Sequence, residues 1–165
     1  MHDEVDRLVE AWGRERPDLD LSPMEVLSRV SRLDHHLAAA RRAAFAAHDV
    51  EPWEFDVLAA LRRAGAPYEL SPGRLLRETL VTSGTMTNRV DRLVARSLVE
   101  RLPDPQDRRG VLVRLTPVGR EKVDGALTVL LDHERRLLSA LSGAELRQLA
   151  GLLRRLSVSF ETPGD

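Results

Sequence analysis

Side chains that could catalyse a reaction are few in this chain of 165 residues, and their spacing does not favour catalysis. His35, His36 and His133 are the candidates for a general base or a metal ligand. Adjacent residues on a helix point about 100° apart, so His35 and His36 cannot share a face. The chain has no cysteine and no HExxH, phosphate-loop or nucleophile-elbow motif. The sequence therefore predicts a binding protein without a metal or cofactor, not an enzyme.

Two arginines near the middle of the chain offer a different chemistry, the binding of phosphate. Arg108 and Arg109 are adjacent in the polar segment 104–110. Guanidinium groups at the end of such a turn suit the narrow minor groove of DNA, where the negative potential is enhanced. The alternative is a solvated turn in which these arginines pair with Asp104 and Asp107.

The distribution of charge favours a nucleic-acid partner. The formal net charge is −1, but residues 71–120 hold 10 basic and 5 acidic side chains. A local excess of this kind is attracted to a phosphate backbone, whereas residues 1–34, with 5 basic and 9 acidic side chains, would be repelled by it. The alternative is a chance cluster of solvated charges.

Helices and one hairpin are expected to position these groups. Residues 2–16 are predicted to form an amphipathic helix, and Ser22 with Glu25 resembles a capping box at the start of a long helix over residues 22–49. No stretch approaches the roughly 18 apolar residues that span a membrane, so the expected location is the cytoplasm. The other elements are helices that begin at Pro52, Ser71, Thr82 or Ser83, Pro117 and Ser142, and a hairpin over residues 98–115.

The helix that begins near Ser83 has two distinct faces. Its apolar face, predicted to lie in the core, consists of Met86, Val90, Leu93, Val94 and Ser97. The opposite face is polar, and Arg89 lies on the boundary between the two. This polar face consists of Gly84, Thr85, Asn88, Asp91 and Arg92. Because a small domain has no internal use for such a surface, it is a candidate binding face.

The predicted elements follow the order of a winged helix-turn-helix, which is helix, short helix, helix and two-stranded ribbon. The last helix of this motif enters the major groove of DNA. The predicted fold is therefore mainly α with a small β-hairpin wing, and the DNA-binding lobe spans residues 52–115. The partner is double-stranded DNA. The candidate DNA contacts are Ser83, Thr85, Thr87, Asn88, Arg92, Arg108 and Arg109.

Three segments around the predicted wing carry a family resemblance. They are 98–101 (LVER), 104–109 (DPQDRR) and 113–119 (VRLTPVG), and they resemble the multiple antibiotic resistance regulator (MarR) family. The resemblance implies a homodimeric repressor whose helices over residues 22–49 and 117–160 form the dimer layer. Broad leucine stripes on these helices agree with this, since a single small domain cannot cover them.

The chain also resembles the urate-responsive branch of that family. The extra helix over residues 2–16 is one point of similarity, and the four-residue ligand signature is matched by Trp12, Asp56, Arg89 and Arg101. The resemblance implies that urate, a planar monoanion, meets the arginines and the indole N–H, which are matched donors. In that branch the ligand would displace Asp56 electrostatically and release its partner Arg101.

Several alternatives stay open at this level. Phe55 stands where the branch has tryptophan, and Thr87 replaces a serine-like position, which makes transfer of a DNA sequence preference unsafe. The four signature residues could instead be a structural ion pair and a core tryptophan. The effector could be a phenolic or carboxylate compound. A helical adaptor that binds only protein is the alternative from a different functional class.

Overall fold

The computed structural model describes residues 2–79 and 82–161, with the side chains of 108, 109 and 161 left out. None of the described helices is long and apolar enough to cross a lipid bilayer. The described elements are α1 (Glu4–Glu15), α2 (Ser22–Ala46), α3 (Pro52–Arg63), β1 (Glu69–Leu70), α4 (Pro72–Thr79), α5 (Ser83–Ala95), β2 (Val99–Asp104), β3 (Asp107–Leu115), α6 (Pro117–Leu137) and α7 (Gly143–Glu161). The predicted fold, mainly α with a small β wing, is confirmed.

The polar residues before the helices explain where most helices begin. The Ser142 N–H donates to Glu145 Oε2 at 2.7 Å, as expected of the capping box before α7. The capping box predicted at Ser22 is wrong, because Leu21 is the N-cap of α2 and has no side-chain cap. Asp20 stands two residues before Ser22 and accepts its N–H at 3.0 Å, so Ser22 itself begins the helix.

The sheet has three antiparallel strands in the order β1-β3-β2. The predicted hairpin is β2 and β3, and β1 was not predicted, since two residues show no periodicity. Glu69 and Leu70 of β1 pair with Arg114 and Val113 of β3. The Glu69 carboxylate also accepts a hydrogen bond from Arg114 Nη2 at 2.7 Å. These contacts join the loop before α4 to the wing.

The hydrophobic core lies inside the lobe formed by α3, α4, α5 and the sheet, and α2 and α6 close it. Met86, Val90 and Leu93 of α5 are buried, which confirms most of its predicted apolar face. Val94 is 36% exposed, and Ser97 is exposed, so both were wrongly assigned to the core. Helix α5 ends at Ala95, and Ser97 takes a left-handed conformation with φ of 56°, which removes it from the helical pattern.

Helices α2, α6 and α7 leave large apolar side chains exposed. The described side chains of α7 include no buried residue, and Leu156 is 53% exposed. Leu27 on α2 is 61% exposed. This apolar surface has no cover within the described part of the chain.

Helix α1 is held on α2 by one buried side chain and several ion pairs. Val5 is buried, and Arg29 of α2 bridges Asp3, the N-cap of α1, and Asp6 of α1 at 2.8 and 2.6 Å. The hydrogen bond from Arg29, with one from the Asp6 backbone N–H, lowers the pKa of Asp3 to about 2. Charged Asp3 is therefore stabilised in the docked state.

We expect acid to release α1 from α2. Because the pKa of Asp3 is lowered from 3.8 to about 2 in the docked state, its contribution is complete above pH 3.8 and is lost as pH falls toward 2. The fluorescence of Trp12, measured in a Trp53→Phe background, should report this transition. Arg29→Gln should move the transition upward in pH. A transition that Arg29→Gln leaves unchanged would contradict this account.

Candidate nucleic-acid interface and ligand site

The N-terminal half of α5 forms an exposed polar surface. Ser83, Thr85 and Asn88 are exposed, as predicted for a binding face. Thr85 Oγ1 lies 2.9 Å from Thr82 Oγ1, and Thr87 Oγ1 donates to the Ser83 carbonyl at 3.2 Å. The amide of Asn88 makes no hydrogen bond to a described residue, so its donors and acceptor are available to a base edge.

An aromatic ring from α3 lies against this surface. Arg89 and Arg92 of α5 lie over the indole of Trp53, with guanidinium carbons 5.6 and 4.6 Å from the ring centroid. Glu51 holds the ring in place, because its Oε2 accepts the indole N–H at 2.5 Å. An open cavity of about 460 Å³ lies here, lined by Trp53, Gly84, Thr85, Asn88, Arg89 and Arg92. The site is cationic and partly aromatic.

The wing is shaped by its turn residues. Asp104 pairs with Asp107 after a register irregularity at Pro103, and Asp104 Oδ1 accepts the Gln106 N–H at 2.8 Å. A Cβ on Gly110 would lie 2.8 Å from the Asp104 Cβ, so the two strands meet here at a distance that only glycine permits. The predicted contacts of Arg108 and Arg109 lie outside the described side chains.

Comparison with known proteins identifies this architecture. A family model described as MarR family matches residues 48–110. The transcriptional regulator PecS of Dickeya dadantii (strain 3937) is 37% identical over 153 residues, which cover 93% of this chain and 92% of that protein. The chain belongs to the MarR family. It is therefore a winged-helix transcriptional regulator and not an enzyme.

Solved MarR-family structures resemble the chain over most of its length. A mutant of Escherichia coli MarR complexed with operator DNA is 29% identical, with a TM-score of 0.63 over 84% of this chain and 99% of that one. BpsR of Bordetella bronchiseptica, whose DNA binding is regulated by 6-hydroxynicotinic acid, is 29% identical, with a TM-score of 0.65 over 85% of this chain and 94% of that one. These likenesses agree with a DNA-binding role for the lobe.

No hydrogen bond or ion pair joins any two of the four predicted ligand residues in the described part of this MarR-family protein. Arg89 lines the α3–α5 cavity, whereas Trp12 lies on α1 with 47% of its surface exposed. Asp56 is exposed on α3 and makes no ion pair with a described residue. Arg101 of β2 donates from Nη1 to Asp91 Oδ1 of α5 at 2.6 Å. The implied partnership of Asp56 with Arg101 is therefore replaced by a pair between Arg101 and Asp91 within this chain.

Several functional contacts escaped the sequence analysis. The contact of the Trp53 indole with Arg89 and Arg92 was not predicted. Glu54 is 1% exposed and pairs with Arg96, the residue that caps α5. A glutamate among the apolar residues of α3 was the available signal, since a buried carboxylate needs a cationic partner.

Proposed function

We propose that this MarR-family regulator is a dimeric repressor that a small anion, urate or a related purine, releases from a pseudo-palindromic operator. The observation that carries this proposal is the cationic cavity at Arg89, because it lies on the helix that would read DNA. A ligand bound there would act on the recognition surface itself.

The proposed DNA interface combines α5 with the wing. Helix α5 would enter the major groove with its exposed N-terminal residues toward the base edges. The wing would follow the backbone toward the minor groove. The proposed contacts are Ser83, Thr85, Thr87, Asn88 and Arg92 on α5 and Arg108 and Arg109 on the wing.

The proposed dimer layer comprises α2, α6 and α7, over residues 22–49 and 117–160. The exposed leucines of these helices are the support, since surfaces of this kind on soluble proteins mark interaction sites. A two-fold dimer would place two copies of α5 about 34 Å apart, one helical turn of DNA. The operator would then be pseudo-palindromic.

The proposed urate site brings Trp12, Asp56, Arg89 and Arg101 together in the ligand-bound state. Arg101 ties β2 to α5 through Asp91, so an anion that attracts Arg101 would weaken this connection and let α5 move. The bound anion would repel the negative charge of Asp56. Release requires tighter ligand binding by the state that does not bind DNA, because equal affinity would shift nothing.

An aromatic carboxylate is the second candidate ligand. The support is the similarity to BpsR, whose DNA binding is regulated by 6-hydroxynicotinic acid. Such a molecule is also planar and anionic, and the guanidinium of Arg89 would bind its carboxylate.

Urate titration tests the proposal. An operator is first recovered from a random duplex library with the wild-type protein. We expect urate to quench tryptophan fluorescence saturably and to release this operator in the same buffer. Because Trp53 lines the cavity at Arg89, the quenching should be reduced in Trp53→Phe as well as in Trp12→Phe. Quenching that Trp12→Phe leaves unaltered, or an operator that millimolar urate never releases, would exclude the urate site. Release by 6-hydroxynicotinic acid alone would favour the second candidate.

A further inference from the structure

The carboxylate of Glu54 is buried at the junction of α3 and α5, with 1% of the residue exposed. Its Oε2 accepts a hydrogen bond from Arg96 Nη1 at 2.5 Å and one from the Glu51 backbone N–H at 2.9 Å. A carboxylate that is removed from water needs such partners, because an unpaired buried charge is strongly unfavourable. The stability of the buried Glu54 charge therefore depends on the position of Arg96.

Arg96 connects Glu54 to the loop between α2 and α3. Its Nη2 donates to the Asp49 carbonyl at 2.7 Å and to Asp49 Oδ2 at 2.5 Å. Lys122 of α6 donates to the same Asp49 carboxylate oxygen at 3.1 Å. We name the four side chains Glu54, Arg96, Asp49 and Lys122 the Arg96 network. It joins α3, the end of α5, the α2–α3 loop and α6.

The acidic and basic side chains of this network stabilise one another in their charged forms. The hydrogen bond from Lys122 and the charge of Arg96 lower the pKa of Asp49. The hydrogen bond to Glu54 is the main cause that raises the pKa of Arg96. Both groups are therefore charged across the physiological range.

The network holds the end of α5 that lies away from the proposed base contacts. Arg96 directly follows α5, and the exposed residues Ser83 to Asn88 lie at the other end. Because an α-helix is stiff, a constraint at its C-cap sets the angle at which its first turns meet the groove. Buried ion pairs add little net stability compared with apolar side chains of similar size, and their best-attested role is to select one geometry.

We propose that Glu54 and Arg96 are positioning residues that set the angle of α5 for operator discrimination. Neither side chain contacts DNA in this account. The inference rests on the proposed placement of α5 in the major groove. It assigns sequence selectivity partly to an ion pair outside the DNA interface, of which only Glu54 is fully buried.

The test replaces the pair by apolar side chains of similar length, Glu54→Leu with Arg96→Met. We expect the double variant to fold with a Tm near that of the wild type. Its affinity for the selected operator should fall about tenfold or more, the size of one lost base contact. Its affinity for a random duplex should stay within about threefold, with the salt slope unchanged, because no phosphate contact is removed.

A matched control replaces an ion pair that does not involve α5. Arg62 of α3 and Asp124 of α6 are joined at 2.8 Å. Arg62→Met with Asp124→Leu should leave the ratio of operator to random-duplex affinity at the wild-type value. Asn88→Ala, which removes a proposed base contact, should lower this ratio as the Glu54–Arg96 double variant does.

Four outcomes would overturn the inference. An unchanged operator affinity in the double variant would show that the pair is purely structural. Equal losses on both duplexes with a smaller salt slope would make Arg96 a phosphate contact. If the double variant does not fold, Arg96→Lys replaces it in the test, because a lysine ammonium cannot bind Glu54 and Asp49 at the same time. An unchanged ratio of operator to random-duplex affinity in Arg96→Lys would refute the positioning role of Arg96. A wild-type protein that selects no sequence would instead refute the proposed function and this inference with it.

Discussion

Arg89→Ala is expected to weaken urate binding strongly. A hydrogen bond to a charged group contributes about 1.5–3 kcal/mol, which corresponds to a loss of affinity of roughly ten- to a hundredfold. Arg89 is half-buried beside Trp53, where screening by water is weaker than on an open surface. Isothermal titration with urate measures the loss directly.

Arg92→Ala is the matched control for this prediction. The guanidinium of Arg92 lies over the same indole, but it also faces Glu51 at 3.8 Å and is not one of the proposed urate ligands. We expect Arg92→Ala to retain urate affinity and to lower operator affinity. Equal losses of urate affinity in both variants would show that the cavity attracts the anion by its overall charge, without a specific role for Arg89.

Asp56→Asn should separate urate binding from operator release. The substitution removes the negative charge that the bound anion would repel, while it preserves the size of the side chain. Urate should therefore still bind, but the coupling between ligand and operator should be lost. Normal release by urate in Asp56→Asn would remove Asp56 from the proposed mechanism.

Gly119→Ala is expected to give the largest loss of stability among single substitutions that add only a methyl group. A Cβ at this position would lie 2.1 Å from the Leu98 carbonyl oxygen and 2.9 Å from Leu115 Cδ1. The Leu98 carbonyl also accepts the Thr116 N–H at 3.1 Å, so it cannot move without breaking that bond. Overpacking of this kind costs about 1–3 kcal/mol.

Thermal unfolding at a fixed protein concentration measures this effect. A chain of this size loses about 2–4 °C in Tm for each kcal/mol. Gly13→Ala is the control, because a Cβ on Gly13 meets only Leu21 Cδ1 at an ordinary 3.8 Å. Alanine should raise the stability of α1 by about 0.5–1 kcal/mol through its greater helix propensity. A Gly119→Ala variant as stable as the wild type would contradict the contact with Leu98.

Local sequence patterns predicted most of the elements that position the binding surface. The apolar spacing of Met86, Val90 and Leu93 was sufficient for α5, because one buried face is required at the helical period. Alternation around the polar turn predicted β2 and β3. Strand β1 was missed because its two residues become a strand only by pairing with β3.

The sequence also indicated the polar residues of the proposed DNA surface, but not their partners. Arg89 and Arg92 could be placed on one side of α5 from the sequence alone. The helical period does not show which side chain from another helix meets that side, so the contact of Arg89 and Arg92 with Trp53 could not be predicted. The family resemblance implied Asp56 as the partner of Arg101, whereas in this chain Arg101 pairs with Asp91.

The fold class, the order of the elements and the family could be predicted from the amino-acid sequence, because they depend on local periodicity, capping residues and a continuous motif around the wing. Which charged side chains meet across elements became known only from the packed structure. The partners Glu54 and Arg96 are 42 residues apart in the chain, yet their side-chain atoms lie 2.5 Å apart. Such a contact depends on how α3 and α5 pack, which no local pattern encodes.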